Sequence, residues 1–219
     1  MSYNICIFDL DGTLTDPKEC IVACYQHALN HFGITETEEN IIKHIGPPLR
    51  ETLSNAYNLS ADDCEVGVKK FCEYFDAHGL AKNAIYNHTK NLLQTLKSAG
   101  KTLAVATNKN THDAKLILDF HNISEFFEAI SGDERDGSLS KNGKGKIIEI
   151  AINGLEITDK SKIVMIGDRK NDILGAKDVG IDSIGVLWGY GSREELEAAG
   201  ATHIAKDTNE TLEIISTGR

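Results

Sequence analysis

The chain has 219 residues, 41% of them hydrophobic and 26% charged, which excludes a disordered chain and allows one large domain with a smaller insert. Its formal net charge of −10 opposes binding to nucleic acid or to an anionic lipid surface. A small anionic substrate is still compatible, because local cations, backbone amides and a metal outweigh the global field at close range.

Residues Met1-Ser2-Tyr3-Asn4 lead directly into an apolar run at Ile5. Without a basic leader and a long apolar stretch, no secretory signal is expected, and no run has the length of a membrane span. The cysteines Cys6, Cys20, Cys24, Cys64 and Cys72 contain no C-x-x-C pair. Reduced, packed thiols in a cytoplasmic protein are therefore expected.

The first apolar run, Ile5–Phe8, shows no alternation, the pattern of a strand buried on both faces. Residues 16–86 differ. They carry helical stripes such as Ile21, Tyr25, Ala28 and Phe32, or Val66, Phe71 and Phe75, together with Pro17, Pro47 and Pro48 and no buried strand. A helical stripe follows at Leu92, Leu93 and Leu96, then an apolar run at 103–106 and a second stripe at Ala114, Ile117 and Leu118. A third stripe, at Ile147, Ile148, Ala151, Ile152 and Leu155, precedes apolar runs at 163–166 and 184–187. This alternation predicts a doubly wound, mostly parallel α/β sheet in a Rossmann-like three-layer core built from residues 1–15 and 87–219. Residues 16–86 are predicted to be a small α-helical cap domain, joined by hinge strands near Thr15 and Tyr86.

Ligands of such sheets bind beyond the carboxyl ends of the strands. The runs end in Asp9-Leu10-Asp11-Gly12-Thr13-Leu14, in Thr107-Asn108-Lys109 and in Gly167-Asp168-Arg169-Lys170-Asn171-Asp172, while Lys141, Lys144 and Lys146 precede the helix near Ile147. Carboxylates, a hydroxyl and a cation at one rim suit phosphoryl transfer, which needs positioning and charge neutralisation above all. Asp9 can act as nucleophile and Asp11 as general acid–base. Mg²⁺ is the expected cofactor, held by the Asp9 and Asp168 carboxylates and the Asp11 backbone carbonyl. Thr107, the amide of Asn108 and one lysine are expected to grip the phosphoryl oxygens.

Asp9-Leu10-Asp11-Gly12-Thr13 resembles the first motif of the haloacid dehalogenase superfamily. Thr107, a downstream lysine and Gly167-Asp168-x-x-x-Asp172 resemble its second, third and fourth motifs. Ile45-Gly46-Pro47-Pro48-Leu49, Ile166-Gly167-Asp168-Arg169, and Gly185-Val186-Leu187-Trp188-Gly189-Tyr190-Gly191 followed by Glu195-Leu196 are similar to the phosphoglycolate phosphatase-like branch with its 5′-nucleotidase-like members. The resemblance implies an aspartyl-phosphate on Asp9, acid–base catalysis by Asp11, phosphate binding by Thr107, Asn108 and Gly12, and a magnesium set of Asp9, Asp11, Asp168 and Asp172, with Asp172 orienting the others. Its third motif usually has a lysine followed by proline. Here Lys141, Lys144 and Lys146 are all candidates, and the distance of Lys144 from Ile148 favours Lys144.

The same residues have local uses. Asp-x-Asp-Gly suits a turn, Asp168 and Asp172 suit a helix N-terminus, and Thr107 with Asn108 suits a cap for a helix starting at Thr111. His27 and His31 lack the H-E-x-x-H glutamate, Gly143-Lys144-Gly145 lacks a P-loop's other residues, and Gly189-Tyr190-Gly191 is not a dinucleotide fingerprint. Residues 46–50 are the expected specificity loop, with Arg50 or Lys43 meeting an anionic substrate. The expected activity is magnesium-dependent hydrolysis of a small phosphate monoester such as 2-phosphoglycolate, by a monomer or small homo-oligomer. Alternatives are a 5′-nucleotidase, a phosphosugar mutase and, last, a non-catalytic binding protein.

Overall fold

The computed structural model describes residues 2–135, 137–155 and 159–218. The first apolar run forms β1 (Ile5–Phe8), buried along its whole length. A two-residue strand β2 (Thr15–Asp16) pairs antiparallel with β3 (Ala84–Ile85), and the chain between them is helical. After β3 come β4 (Thr102–Asn110), β5 (Ala129–Asp133), β6 (Ile163–Gly167), β7 (Asp182–Val186) and β8 (His203–Ala205). Six strands make one parallel sheet in the order β5-β4-β1-β6-β7-β8.

Both faces of this sheet are covered, which is why its strands are apolar without alternation. Cys6, Phe8, Leu103, Val105, Val164 and Ile166 point to one face, where they meet α5 (Thr89–Ser98), α6 (Thr111–Phe120) and α10 (Thr208–Thr217). Ile5, Ile7, Ala104, Ala106, Ile163 and Met165 point to the other, against α7 (Gly145–Gly154) and α8 (Lys170–Val179). Each large side chain so buried contributes about 1.5–3 kcal/mol. The short helix α9 (Arg193–Ala199) packs against α8 and β8.

The segment between β2 and β3 holds α1 (Lys18–His31), α2 (Glu38–Ile42), α3 (Leu49–Tyr57) and α4 (Ala61–Tyr74), followed by a π-helical turn at Phe75–Gly79. Ile21, Tyr25, Leu29, Ile41, Ile45 and Leu53 build an apolar cluster separate from the two beside the sheet. Among the described residues, no helix is long and apolar enough to cross a membrane.

One strand boundary and one helix cap differ from the sequence expectation. Strand β4 continues past residue 106 to Asn110, through an irregularity between Thr107 and Asn110. Helix α6 takes its cap from Asn110, whose side chain accepts from the Asp113 amide at 3.0 Å, instead of from Thr107 or Asn108. The extended strand carries Thr107 and Asn108 too far from the first helical turn to cap it.

Candidate active site

Strand β1 pairs with β4 on one side and β6 on the other. The chain thus crosses to opposite sides of β1, creating the switch point where a crevice opens beyond the strand ends. Phe8 is in register with Val105 and Ile166, so Asp9 and Asp168 follow the ends of β1 and β6 at this crevice, and Thr107 reaches it from within β4, between β1 and β5. Strand register, set by apolar burial, thereby converges residues about a hundred and sixty positions apart.

Asp9 is buried, and its Oδ1 lies 2.7 Å from Lys144 Nζ. Lys144 also meets Asp172 at 2.5 Å. Lys141 lines the adjoining cavity, and Lys146 pairs with Glu149 on the surface. Of the three candidate lysines, the fold thus brings Lys144 beside Asp9. Burial alone would depress the Lys144 ammonium, but the Asp172 and Asp9 carboxylates outweigh it and hold the lysine charged.

Asp168 is fully buried. Its Oδ2 accepts from the Tyr190 amide at 2.7 Å, and its Oδ1 accepts from the Thr13 hydroxyl at 3.3 Å. Burial, with the charges of Asp172 and Asp9, pushes its carboxyl well above the usual range. Burial likewise raises Asp172, against the opposing pull of Lys144. Asp172 Oδ2 also accepts from the Arg169 amide at 3.0 Å, so the same residue serves the start of α8 and the lysine.

Gly12 has φ +90°, and a Cβ there would stand 2.4 Å from Asp168 Oδ2. Glycine is needed at this turn both for its backbone and for the approach of the carboxylate. Gly12 therefore sits against Asp168.

A cavity of about 710 Å³ opens above Asp9 and Asp11. Thr107, Asn108 and Lys109 line its core side, and Tyr25, Ile45, Pro47, Phe71 and Phe75 its helical side. Thr107 is buried, and its hydroxyl accepts from the Lys109 amide at 3.2 Å. Asn108 Nδ2 donates to the Gly46 carbonyl at 3.0 Å. Arg50 lines the mouth, where its guanidinium donates to both Glu65 oxygens at 2.7 and 2.9 Å and to the Arg135 carbonyl at 3.2 Å.

Residues 6–186 match the haloacid dehalogenase-like hydrolase family. The chain belongs to the haloacid dehalogenase-like hydrolases. It is 38% identical over 202 residues to the tyrosine-protein kinase PtkA of Mycobacterium tuberculosis, covering 92% of this chain and 68% of that protein. It is 36% identical to a 5′-nucleotidase of Pseudomonas aeruginosa, covering 94% of this chain and 93% of the relative. The crystal structure of a predicted phosphatase from Clostridium acetobutylicum superposes with a TM-score of 0.93 at 38% identity, covering 98% of this chain and 99% of that one.

As a haloacid dehalogenase-type phosphatase, a phosphoric monoester hydrolase, the protein belongs to enzymes that generally use Mg²⁺, and its own residues suit that ion. Asp9, Asp168 and Asp172 each offer an oxygen, all within 4.8 Å of one another. Asp9 Oδ1 is buried and lacks a well-aligned hydrogen-bond donor despite its charge contact with Lys144. Four carboxylates, on Asp9, Asp11, Asp168 and Asp172, face the two ammonium groups of Lys109 and Lys144. The excess negative charge and all-oxygen donor set fit a hard divalent cation. The Asp11 carboxylate lies outside the cluster, on Lys109.

Lys109 is the site residue that sequence reasoning passed over. It is almost fully buried, 2.8 Å from Asp11 Oδ2, and its ammonium stands 5.1 Å from the centre of the Phe75 ring. The signal was its place two residues after Thr107 at a strand end. Alternation normally sends side chains two apart to one face, a rule the irregularity of β4 makes hard to apply from sequence.

Proposed function

We propose that the protein hydrolyses a phosphate monoester in a magnesium-dependent reaction through an aspartyl-phosphate on Asp9. One observation carries this reading: Asp9 lies at the floor of a cavity, with the buried Lys144 against its carboxylate and Asp168 and Asp172 beside it. An Asp9 oxygen attacks phosphorus while the bond to the leaving oxygen breaks, its electron pair staying on that oxygen. Asp11 gives the leaving oxygen a proton. Water then attacks the phosphoryl group, passes a proton to Asp11, and releases phosphate with Asp9 restored as carboxylate.

The Lys144 ammonium offsets the charge of the phosphoryl oxygens during transfer, and the Thr107 hydroxyl and the Asn108 backbone amide donate hydrogen bonds to them. Asp9, Asp168 and the Asp11 backbone carbonyl would hold Mg²⁺, and Asp172 orients Lys144. When bound, Mg²⁺ supplies charge neutralisation and orientation of the phosphate. The helices of residues 16–86, acting as a cap, exclude bulk water from the phosphoenzyme.

The cavity favours a leaving group larger than glycolate. A volume of about 710 Å³ with Tyr25, Phe71 and Phe75 on its wall suits a planar, partly apolar group, and the 36% identical relative is named a 5′-nucleotidase. We therefore put nucleoside monophosphates ahead of 2-phosphoglycolate. The relative named a tyrosine-protein kinase supports a second reading, transfer from Asp9 to an acceptor other than water.

Phosphate release with and without Mg²⁺ from nucleoside monophosphates, phosphoglycolate, pyrophosphate and hexose phosphates, with Asp9→Asn as control, tests the proposal. Magnesium-dependent release lost in Asp9→Asn is the expected result. Release that survives Asp9→Asn would overturn the mechanism. A phosphorylated acceptor without free phosphate would favour the second reading.

A further inference from the structure

Arg169, and Glu195 at the start of α9, have no role in the chemistry above, and Lys43-His44-Ile45-Gly46 enters it only at the edge of the expected specificity loop. In the structure they meet in one contact. Helix α2 ends at Ile42 and α3 begins at Leu49, so the Lys43 and Ile45 carbonyls lie beyond the ladder of α2 and take donors from elsewhere. Arg169 provides them. Its Nη1 donates to the Ile45 carbonyl and lies 3.5 Å from that of Lys43.

The other end of the guanidinium is fixed. Arg169 Nε donates to Glu195 Oε1 at 2.9 Å, and the same oxygen accepts from the Lys170 amide at 2.9 Å. The planar fork of arginine serves a carboxylate and two carbonyls at once, which a lysine ammonium on a flexible stem does not reproduce. Gly46 has φ +107°, and a Cβ there would stand 2.8 Å from Arg169 Cγ. The glycine of this loop thus answers to the arginine of the opposite layer. From the other side, Asn108 Nδ2 donates to the Gly46 carbonyl.

The loop is therefore held between two core residues, one following Thr107 and the other following Asp168. Ile45 is buried in the cap's own apolar cluster, so docking its carbonyl positions that whole cluster. Gly46, Pro47 and Pro48 then form part of the cavity wall.

We propose that Arg169, oriented by Glu195, is a positioning residue that docks the 43–46 loop and so completes the leaving-group wall of the active-site cavity. Arg169 touches no residue assigned to the chemistry by its guanidinium. It acts through the loop. The effect on turnover rests on reading the cavity as the site of phosphoryl transfer, whereas the contact itself does not.

The test compares wild type, Arg169→Ala, Arg169→Lys and Glu195→Gln as full chains. Hydrogen–deuterium exchange of residues 41–50 should quicken by about tenfold in Arg169→Ala and less in Glu195→Gln, with the sheet amides unchanged. Arg169→Lys should not restore protection. For kinetics, kcat/KM for adenosine monophosphate should fall by roughly tenfold or more through KM, while acetyl phosphate turnover changes by less than about twofold. Unchanged exchange in the loop, or an equal fall for both substrates, would overturn the proposal. If Arg169→Ala does not fold, Glu195→Gln carries the same comparison. Activity surviving in Asp9→Asn would sink the phosphatase mechanism and leave the exchange data to judge the docking contact.

Discussion

Lys109 Nζ lies 2.8 Å from Asp11 Oδ2, and both side chains are largely removed from solvent. The proposed acid–base is thus held by a cation from the neighbouring strand, against the wall of the cavity. Such a pair keeps Asp11 in place, and removing one partner leaves a buried charge without compensation.

Lys109→Met should therefore destabilise the protein by about 3 kcal/mol in urea unfolding. Lys109→Met with Asp11→Asn should recover part of that loss, because no charge is then stranded. A double-mutant cycle showing no coupling would contradict this account of the pair.

Lys144 and its two neighbours give a sharper expectation. Lys144→Met should lower kcat by roughly 10²–10³-fold, the cost of removing one charge-stabilising donor from a preorganised site. Lys146→Ala should stay within about twofold of wild type, as surface substitutions do, and Lys141→Ala, at an exposed position lining the cavity, should lower kcat far less than Lys144→Met. Steady-state phosphate release separates the three. Equal losses at Lys141 would redirect the assignment.

Asp168 links catalysis to stability. Its carboxyl is pushed well above the usual range by burial, Asp172 and Asp9, so the folded state binds this proton more tightly than the unfolded chain does. The resulting stability is present at low pH and is lost as pH rises through the raised value. In EDTA, Asp168→Asn should therefore raise Tm at pH 7.5 by roughly 2–4 °C, equivalent to about 1 kcal/mol, and by less at pH 5. Added Mg²⁺ should stabilise the wild type and not the variant. A lower Tm for Asp168→Asn at pH 7.5 would show that its hydrogen bonds to Tyr190 and Thr13 matter more than its charge.

The apolar wall should report on the leaving group. Phe71→Ala removes an aromatic face from the cavity and should raise KM for adenosine monophosphate by about 10-fold, with acetyl phosphate little changed. Equal effects on both would argue that Phe71 supports the fold of the cap and not substrate binding.

Much of this architecture is legible in local pattern. Ile5–Phe8 and residues 163–166 read as strands buried on both faces because a parallel sheet covered by helices leaves no polar side. The polar residues that close the apolar runs 5–8, 103–106 and 163–166 point to the rim of the sheet, so Asp9, Thr107 and Asp168 are legible as candidates from the sequence. The β4 extension to Asn110 was hidden, since Thr107-Asn108-Lys109-Asn110 carries turn-forming and capping residues and no apolar signal.

Partner choice was decided by tertiary structure. Lys141, Lys144 and Lys146 are equivalent as a local string, and only the packing of α7 against α8 turns Lys144 toward Asp9 and Asp172. The meeting of Arg169 with Ile45 and Gly46 joins segments more than a hundred residues apart, and neither carries a periodic signal. Periodicity reports how a segment buries its own side chains, because burial imposes a repeat along the chain. A salt bridge or a docked carbonyl depends on where two distant segments end in space, and that is determined only when the layers pack.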